Sequence, residues 1–138
     1  MTQGVRLGTV VMFVRDLDRS VAFYREIFGL GIVDSSSTAA LLGNEAGVEL
    51  ILRAMGGSAQ HVLGNVGVQY VAWTVPSREE FDRCEQLLRE RSAYRQNRTD
   101  AGTVTVEGAD PDDTPVIIAY HGPHQARLRE LPTRIYAW

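Results

Sequence analysis

The carboxylate of Glu49 is the side chain of this sequence best placed to do chemistry. It is the one charged residue within the apolar run Val48–Leu52, which has the composition of a buried strand. A buried carboxylate is costly unless it is partnered, so Glu49 is expected to need a partner. It could therefore act as a general base or bind a cationic or hydroxyl-bearing ligand. An ion pair with Arg53, or a position at a solvated sheet edge, is the structural alternative.

The three histidines and the single cysteine are weaker candidates. His61 lies in a segment rich in Gly, Ser and Ala, whereas His121 and His124 follow the last predicted strand, where exposed histidines are common. A metal site formed by His121, Glu49 and a third donor stays open as an alternative. Cys84 lies on the apolar side of a predicted helix, where a thiol is normally inert core. Since a single cysteine cannot form an internal disulfide, we expect a reducing, cytoplasmic location.

The composition excludes several classes of function. All 14 basic residues of the 138 are arginine, so Schiff-base catalysis and a phosphate-loop lysine are excluded. The net charge is -3, and acidic and basic residues are interspersed, which argues against a nucleic-acid partner. No apolar run approaches the roughly 20 residues that cross a bilayer, and residues 1–6 lack the pattern of a signal peptide. We therefore expect no membrane partner.

The elements that must position these residues repeat along the chain. Asp16 and Asp18 are candidate N-caps for a helix that Gly29 is expected to end. The predicted apolar stripe of this helix consists of Leu17, Val21, Tyr24 and Phe28. The predicted strands around it are Leu7–Val14, Ile32–Val33, Thr38–Leu42 and Val48–Leu52. The first half therefore reads as one strand, one helix and three strands.

The second half follows the same order. A strand over Val68–Val75 precedes a capping box formed by Ser77 and Glu80. The charged stretch Arg78–Arg98 reads as a solvated helix face. The apolar positions of this helix are Phe81, Cys84, Leu87 and Leu88, and the later strands are Thr103–Val106 and Val116–Tyr120. A shift of 60 residues superimposes this helix on the first one.

Both halves predict a βαβββ module within a single domain over 1–138, which is an α+β fold. The first module covers 7–54, the second covers 66–121, and a tail covers 122–138. A linker over Met55–Asn65 joins the modules. The tail could cover a dimer partner or the ligand site, or be a flexible end.

Two motifs carry a family resemblance. The segment Val14–Leu30, with the sequence VRDLDRSVAFYREIFGL, resembles the opening signature of the vicinal oxygen chelate superfamily, and Asp110–Asp113 resembles its late D-P-D-G-N turn. This superfamily includes glyoxalase I, bleomycin-resistance proteins, extradiol dioxygenases and fosfomycin-resistance enzymes. The resemblance implies two modules related by a pseudo-two-fold axis, a cupped mixed sheet with helices on its outer face, and a homodimer. One fold hosts many functions, so the chemistry must be read from the site.

In metal-using relatives, each module contributes one ligand from its first strand and one from its last strand. In this sequence those places fall on Thr9 and Glu49 in the first module, and on Tyr70 and Ile117 in the second. A catalytic divalent metal needs at least about three good N, O or S donors. This set provides a single carboxylate, so we predict no metal and no other cofactor.

Alternation along the strands divides their residues between two faces. One face is expected to pack under the helices and contains Val10, Met12, Val14, Val71, Trp73 and Val75. By resemblance, the other face lines a ligand cup. Its predicted ligand-binding residues are Thr9, Phe13, Glu49, Ile51, Arg53, Tyr70, Ala72, Ile117 and His121. Glu49 and Tyr70 are the predicted catalytic pair.

The resulting hypothesis is a metal-independent protein of the glyoxalase and bleomycin-resistance type that holds an apolar or aromatic ligand, such as a drug or natural product. Proton transfer through Glu49 and Tyr70 could accompany binding, so whether the protein is an enzyme is left open. One alternative is a metal-dependent glyoxalase- or dioxygenase-like enzyme with an unusual ligand set. The other is a structural family member whose pocket is unused. A role in antibiotic resistance follows from the first hypothesis.

Overall fold

The computed structural model describes residues 4–5, 7–59, 68–100 and 102–122. The chain divides into two compact units, and each unit contains one module. The first unit also includes Asp110–Asp113, although this turn comes late in the sequence. Among the described residues, no helix is long and apolar enough to span a membrane.

The first module forms one four-stranded sheet with one helix. Its elements, numbered in chain order, are β1 (Val10–Val14), α1 (Leu17–Phe28), β2 (Gly31–Ser35), β3 (Ala39–Gly43) and β4 (Glu49–Ala54). The strand order in the sheet is β1-β4-β3-β2. β1 and β4 are parallel, and the other neighbours are antiparallel. The first and last strands of the module therefore lie side by side.

Helix α1 begins and ends where the sequence predicts, but it presents a different face to the sheet. The Asp16 side chain accepts a hydrogen bond from the Arg19 amide at 3.1 Å. Gly29 ends the helix with a φ of 67°, a left-handed conformation that glycine adopts without steric cost. The predicted stripe is wrong in detail, because the buried residues are Ser20, Phe23, Tyr24 and Ile27. The two stripes lie close together on the helix, and contact with β3 and β4 decides between them.

The second module repeats the arrangement of the first. Its elements are β5 (Val71–Thr74), α2 (Arg78–Glu90), β6 (Tyr94–Asp100), β7 (Thr103–Ala109) and β8 (Pro115–Tyr120). The strand order is β5-β8-β7-β6, again with the first and last strands parallel. The other neighbours are antiparallel. The predicted α+β fold with two βαβββ modules is therefore confirmed.

The predicted N-cap of helix α2 is confirmed, whereas the predicted extent of the helix is wrong. The Ser77 hydroxyl accepts a hydrogen bond from the Glu80 amide at 3.1 Å. The buried face consists of Phe81, Cys84 and Leu88, whereas the predicted Leu87 is half-buried. The interpretation of Arg78–Arg98 as one helix face is wrong, because α2 ends at Glu90 and the chain continues as β6.

The repeat between the modules is 61 residues long rather than 60. Asp16 and Ser77, which are the N-caps of the two helices, lie 61 positions apart. Phe23 of α1 and Cys84 of α2 also lie 61 positions apart, and both side chains are buried. The predicted repeat is therefore correct in kind and wrong by one residue.

The helix side of each sheet forms the core of its module. Leu42, Leu50 and Leu52 in the first module, and Val106 and Ile118 in the second, are at most 1% exposed. Of the strand residues predicted for this side, the two at the carboxyl ends, Val14 and Val75, are buried, and the other four are half-buried. We call the opposite side of each sheet, which faces away from its helix, the distal face.

Candidate ligand-binding site

The distal face of the first sheet carries large apolar side chains that are open to solvent. Register pairs Val11 with Ile51 and Phe13 with Arg53, so β1 and β4 present these residues side by side. Phe13 is 64% exposed and Val11 is 57% exposed. Adjacent exposed apolar side chains of this size are typical of surfaces that bind another molecule.

Thr9 and Glu49 form a hydrogen-bonded pair at one end of this face. The Thr9 hydroxyl donates to Oε2 of Glu49 at 2.7 Å. The parallel pairing of β1 with β4 brings the two together, since Val10 lies beside Leu50. Glu49 is exposed, so the expectation of a buried carboxylate is wrong. The alternative ion pair with Arg53 does not form in the described structure, because four residues of strand span roughly 13 Å.

A β-bulge in β2 adds a further apolar side chain to the distal face of the first sheet, which we call the first distal face. The register between β2 and β3 shifts at Val33, which is 65% exposed. Its Cγ2 atom lies 3.2 Å from the position of a Cβ built on Gly43. Leu41 and Ile51, which pair across β3 and β4, lie half-buried on the same face. Apolar side chains thus lie next to one carboxylate–hydroxyl pair, and many small-molecule sites combine apolar surface with a few polar groups in this way.

The predicted site residues of the second module are less accessible. Ala72 of β5 is exposed, but its neighbour Ile117 in β8 is only 4% exposed. Tyr70 and His121 are half-buried. Among the described residues, the buried Nδ1 atom of His121 has no hydrogen-bond partner. The catalytic role of Tyr70 and the ligand-binding roles of these residues stay predictions.

The donor set at the family's ligand places does not fit a divalent metal ion. Glu49 lies one residue before Leu50, which pairs with Val10 at the start of β1. The corresponding residue of β8 lies one before Val116, which pairs with Val71 at the start of β5. That residue is Pro115 rather than the predicted Ile117. The first-module pair therefore offers a carboxylate and the Thr9 hydroxyl, and the second-module pair offers only the phenol of Tyr70. A divalent site needs more and better donors than either pair supplies. Within the described ranges, no group of three or more His, Cys, Asp and Glu side chains is arranged to hold an ion.

The sequence prediction missed a buried carboxylate on the distal face of the second sheet. Glu107 of β7 is 9% exposed and pairs with Ile117 across the sheet. The Gln96 side-chain amide donates to Oε1 of Glu107 at 3.2 Å, and Nη1 of Arg95 lies 3.6 Å from Oε2. Alternation along β7 indicated this position, because Glu107 lies two residues after Thr105 and therefore faces the same side of the sheet.

The Asp110–Asp113 turn has a structural role within the first unit. The buried Tyr24 hydroxyl donates a hydrogen bond of 2.8 Å to Oδ2 of Asp110. Burial raises the pKa of Tyr24 well above its ordinary value, and the carboxylates of Asp110 and Asp112 raise it further. A neutral phenol is therefore the stable form at this position.

Asp112 anchors the start of helix α1. Its carboxylate accepts hydrogen bonds from the Arg15 amide at 3.3 Å and from the Arg15 guanidinium at 3.2 Å. Arg19 lies 3.8 Å away, and the Asp112 amide donates to Oδ1 of Asp110 at 2.8 Å. Both buried carboxylates of the turn are thus partnered, as buried polar groups normally are.

The remaining sequence candidates take no part in the first distal face. Cys84 is 1% exposed, which confirms its prediction as core. Burial raises the pKa of its thiol, and Arg83 lowers it by a smaller amount, so the reactive thiolate is disfavoured. His61, His124, linker residues 60–65 and tail residues 123–138 lie outside the described residues.

Comparison with known families identifies the superfamily. Residues 6–117 match the model of the Glyoxalase/Bleomycin resistance protein/Dioxygenase superfamily, and the chain belongs to this superfamily. The match includes both motifs that carry the resemblance, which is therefore confirmed. No curated protein sequence matches the chain.

Solved structures share the fold at low sequence identity. A glyoxylase/bleomycin resistance protein/dioxygenase domain from Frankia sp. EAN1pec is 21% identical with a TM-score of 0.74, over 86% of this chain and 93% of that one. A lactoylglutathione lyase from Agrobacterium tumefaciens is 19% identical with a TM-score of 0.67, over 86% and 96%. The genomically encoded fosfomycin resistance protein FosX from Listeria monocytogenes is 20% identical with a TM-score of 0.68, over 91% and 98%. Likeness at this level concerns the fold, and the activity depends on the site.

Proposed function

We propose that the protein binds small apolar or aromatic molecules on the first distal face without a metal ion. The observation that carries the proposal is the Thr9–Glu49 hydrogen bond at one end of a row that continues with the exposed side chains of Val11 and Phe13. A flat ring placed on Phe13 gains apolar burial and ring stacking, which is worth about 0.5–1.5 kcal/mol beyond the buried area. One polar pair within an apolar surface then orients the ligand.

Glu49 supplies the polar recognition in this proposal. Thr9 engages Oε2 of the carboxylate and so restricts its orientation. Within the described residues Oε1 has no such donor, and it can accept a hydrogen bond from a hydroxyl or amine of the ligand. A hydrogen bond to a charged acceptor contributes about 1.5–3 kcal/mol. The preferred ligand is therefore an aromatic compound with a hydrogen-bond donor.

The named relatives support a protective role for such binding. One solved neighbour is a fosfomycin resistance protein and another is a lactoylglutathione lyase. We extend the proposal to sequestration of a drug or natural product by a cytoplasmic homodimer. The donor set at the family's ligand places supports binding rather than metal-dependent chemistry, because it provides one carboxylate and no imidazole.

Thermal unfolding in the presence of a compound panel tests the proposal. Because roughly 13 Å of strand separates Phe13 from the level of Glu49, the panel contains two-ring phenols and anilines. Matched two-ring compounds with a methyl group in place of the donor are included. A compound at about 100 times its dissociation constant should stabilise the protein by about 2.7 kcal/mol. The Phe13→Ala and Glu49→Gln variants should each weaken binding about tenfold. Glu45→Gln, which changes an exposed carboxylate in the turn before β4, is the matched control.

Two results would contradict the proposal. A flat response across the panel favours the structural alternative, in which the face is unused. Stoichiometric iron, manganese, nickel or zinc in protein purified without chelator, lost in Glu49→Ala, favours the metal-dependent alternative.

A further inference from the structure

A second polar cluster lies on the distal face of the second sheet. The direction of each β6 side chain follows from its contacts. The Asn97 side chain donates a hydrogen bond of 2.8 Å to Glu85 of α2, so Asn97 faces the helix. Gln96 and Arg98 alternate with Asn97 and therefore face the distal side, where register pairs them with Glu107 and Thr105.

A β-bulge brings Arg95 to the same side as Gln96. The register between β6 and β7 shifts between Tyr94 and Gln96, which leaves Arg95 as the extra residue. Bulges commonly redirect a side chain in this way. As a result, both Arg95 and Gln96 reach the buried carboxylate of Glu107, at 3.6 Å and 3.2 Å. Three consecutive distal positions of β6 are thus polar.

The charges in this cluster do not cancel. The Glu107 carboxylate forms an ion pair with Arg95 and accepts a hydrogen bond from Gln96. Arg98 is half-buried, and among the described side chains no carboxylate lies within 4.0 Å of it. The cluster thus contains two guanidinium groups and one carboxylate, and the carboxylate pairs with Arg95. A partly desolvated guanidinium without a counter-charge is costly, and an anion that supplies the counter-charge binds favourably.

We propose that Arg98 binds the carboxylate or other oxyanion of a small molecule, and that Glu107 keeps the neighbouring Arg95 neutralised. A planar guanidinium can form two parallel hydrogen bonds to a carboxylate. Thr105 of β7 lies beside Arg98 in the register, and its hydroxyl is a further possible donor on the same face. This anion site goes beyond the proposed function, because it shares no residue with the first distal face. It prefers anionic ligands, whereas Glu49 prefers ligands with a hydrogen-bond donor.

Benzoate and benzamide are matched probes for this site, since they differ in charge and hardly in shape. Amide chemical shifts of the whole chain are followed during titration with each compound. Benzoate should shift the amides of β6 and β7, with a dissociation constant on the order of 1 mM. Benzamide should act on these same amides at least about tenfold more weakly, whatever shifts it causes in β1 and β4. Arg98→Gln should weaken benzoate binding about tenfold. Arg78→Gln, which alters an exposed ion pair on α2, should leave it unchanged.

Glu107→Gln separates an electrostatic role from a structural one. The amide can keep the contact with Gln96 but releases Arg95 and removes a negative charge next to the anion. Benzoate should therefore bind several-fold more tightly to this variant, whereas structural damage would weaken binding. The proposal is overturned by weaker benzoate binding to Glu107→Gln, by equal effects of benzoate and benzamide on the amides of β6 and β7, or by unchanged benzoate binding to Arg98→Gln. The two sites have separate readouts: benzoate is followed in the amides of β6 and β7, and the phenols and anilines of the compound panel are followed in the amides of β1 and β4. Failure of this site and failure of the proposed function are therefore distinguishable.

Discussion

The two modules share one strand order and one pairing pattern, yet their distal faces have opposite character. At corresponding register positions the first sheet has Val33 and Leu41, where the second has Arg95 and Glu107. Both sheets have a β-bulge at this place, so the backbone is conserved between modules while the side chains change. The comparison shows that one strand order and one pairing pattern accommodate different side chains on the distal side.

The turns before the last strands of the modules also differ. In the first module, Asn44 closes its own turn, because its side chain accepts hydrogen bonds from the amides of Ala46 and Val48. The corresponding turn before β8 instead bonds to Tyr24 and Arg15 of the first unit. One turn is thus local, whereas the other completes the core of a unit distant in sequence.

Asp110→Ala should have the largest effect and tests this difference between the turns. The substitution leaves the buried Tyr24 hydroxyl and the Asp112 amide without their acceptor, which should lower the free energy of unfolding by about 2–4 kcal/mol. Asn44→Ala, in the self-contained turn, should cost only about 1 kcal/mol. Urea unfolding measures both variants. Equal losses would mean that the two turns are equivalent.

Gly108→Ala tests how closely α2 packs on its sheet. A Cβ at this position would lie 2.8 Å from the Ala93 carbonyl oxygen and 2.9 Å from a Leu88 methyl group. The corresponding residue of the first module is the buried Leu42, so only the second module requires glycine there. We expect a loss of about 1–3 kcal/mol in urea unfolding. Gly31→Ala is the control, since its nearest contact is at 3.9 Å, and a similar loss there would argue against packing as the cause.

Replacing the carboxylate of each distal face should separate an acid with a structural role from the acid that we propose to bind a ligand. Glu107→Ala removes a buried group and leaves Arg95 and Gln96 without their acceptor, so we expect a loss of about 1–2 kcal/mol. Glu49→Ala removes an exposed group and should change the free energy of unfolding by less than about 0.5 kcal/mol. Chemical denaturation of both variants is the measurement. A larger loss for Glu49→Ala would reverse the assignment.

Tyr24→Phe should lower the free energy of unfolding at neutral pH by only about 1 kcal/mol and should have a clear signature in alkali. Because the folded-state pKa of Tyr24 is raised, the stabilisation from its protonated form is complete below the unfolded-state pKa of about 10. It decreases as the pH rises from there toward the folded-state pKa, by up to about 1.4 kcal/mol per pH unit. The variant should lose less stability than the wild type between about pH 10 and 11. Parallel curves for the two proteins would show that Tyr24 does not titrate in this way.

Most of the secondary structure could be predicted because its signals are local. The caps at Asp16, Ser77 and Gly29 depend only on residues within one helical turn. Strand β6 was missed for a physical reason. Gln96 and Asn97 each bond to a glutamate, on opposite faces of the sheet, so neither face is apolar and no alternation marks the strand.

The candidate site was predictable in part. Alternation along β1 and β4 correctly placed Phe13, Glu49 and Arg53 on the distal face of the first sheet. It could not show that Glu49 is exposed or that Pro115 replaces Ile117 at the family's last-strand place. Exposure and register depend on which strands lie together, and a strand's own sequence specifies that only weakly.

By itself, the sequence determined the order of the elements other than β6, the helix caps and the membership of the superfamily, because these depend on short segments read in place. Only the tertiary structure decided the partners. Thr9 meets Glu49 across 40 residues, and Tyr24 meets Asp110 across 86. The physical reason is that hydrogen bonding and burial act through space, so residues far apart in the chain acquire their roles only when the strands and turns that carry them are brought together.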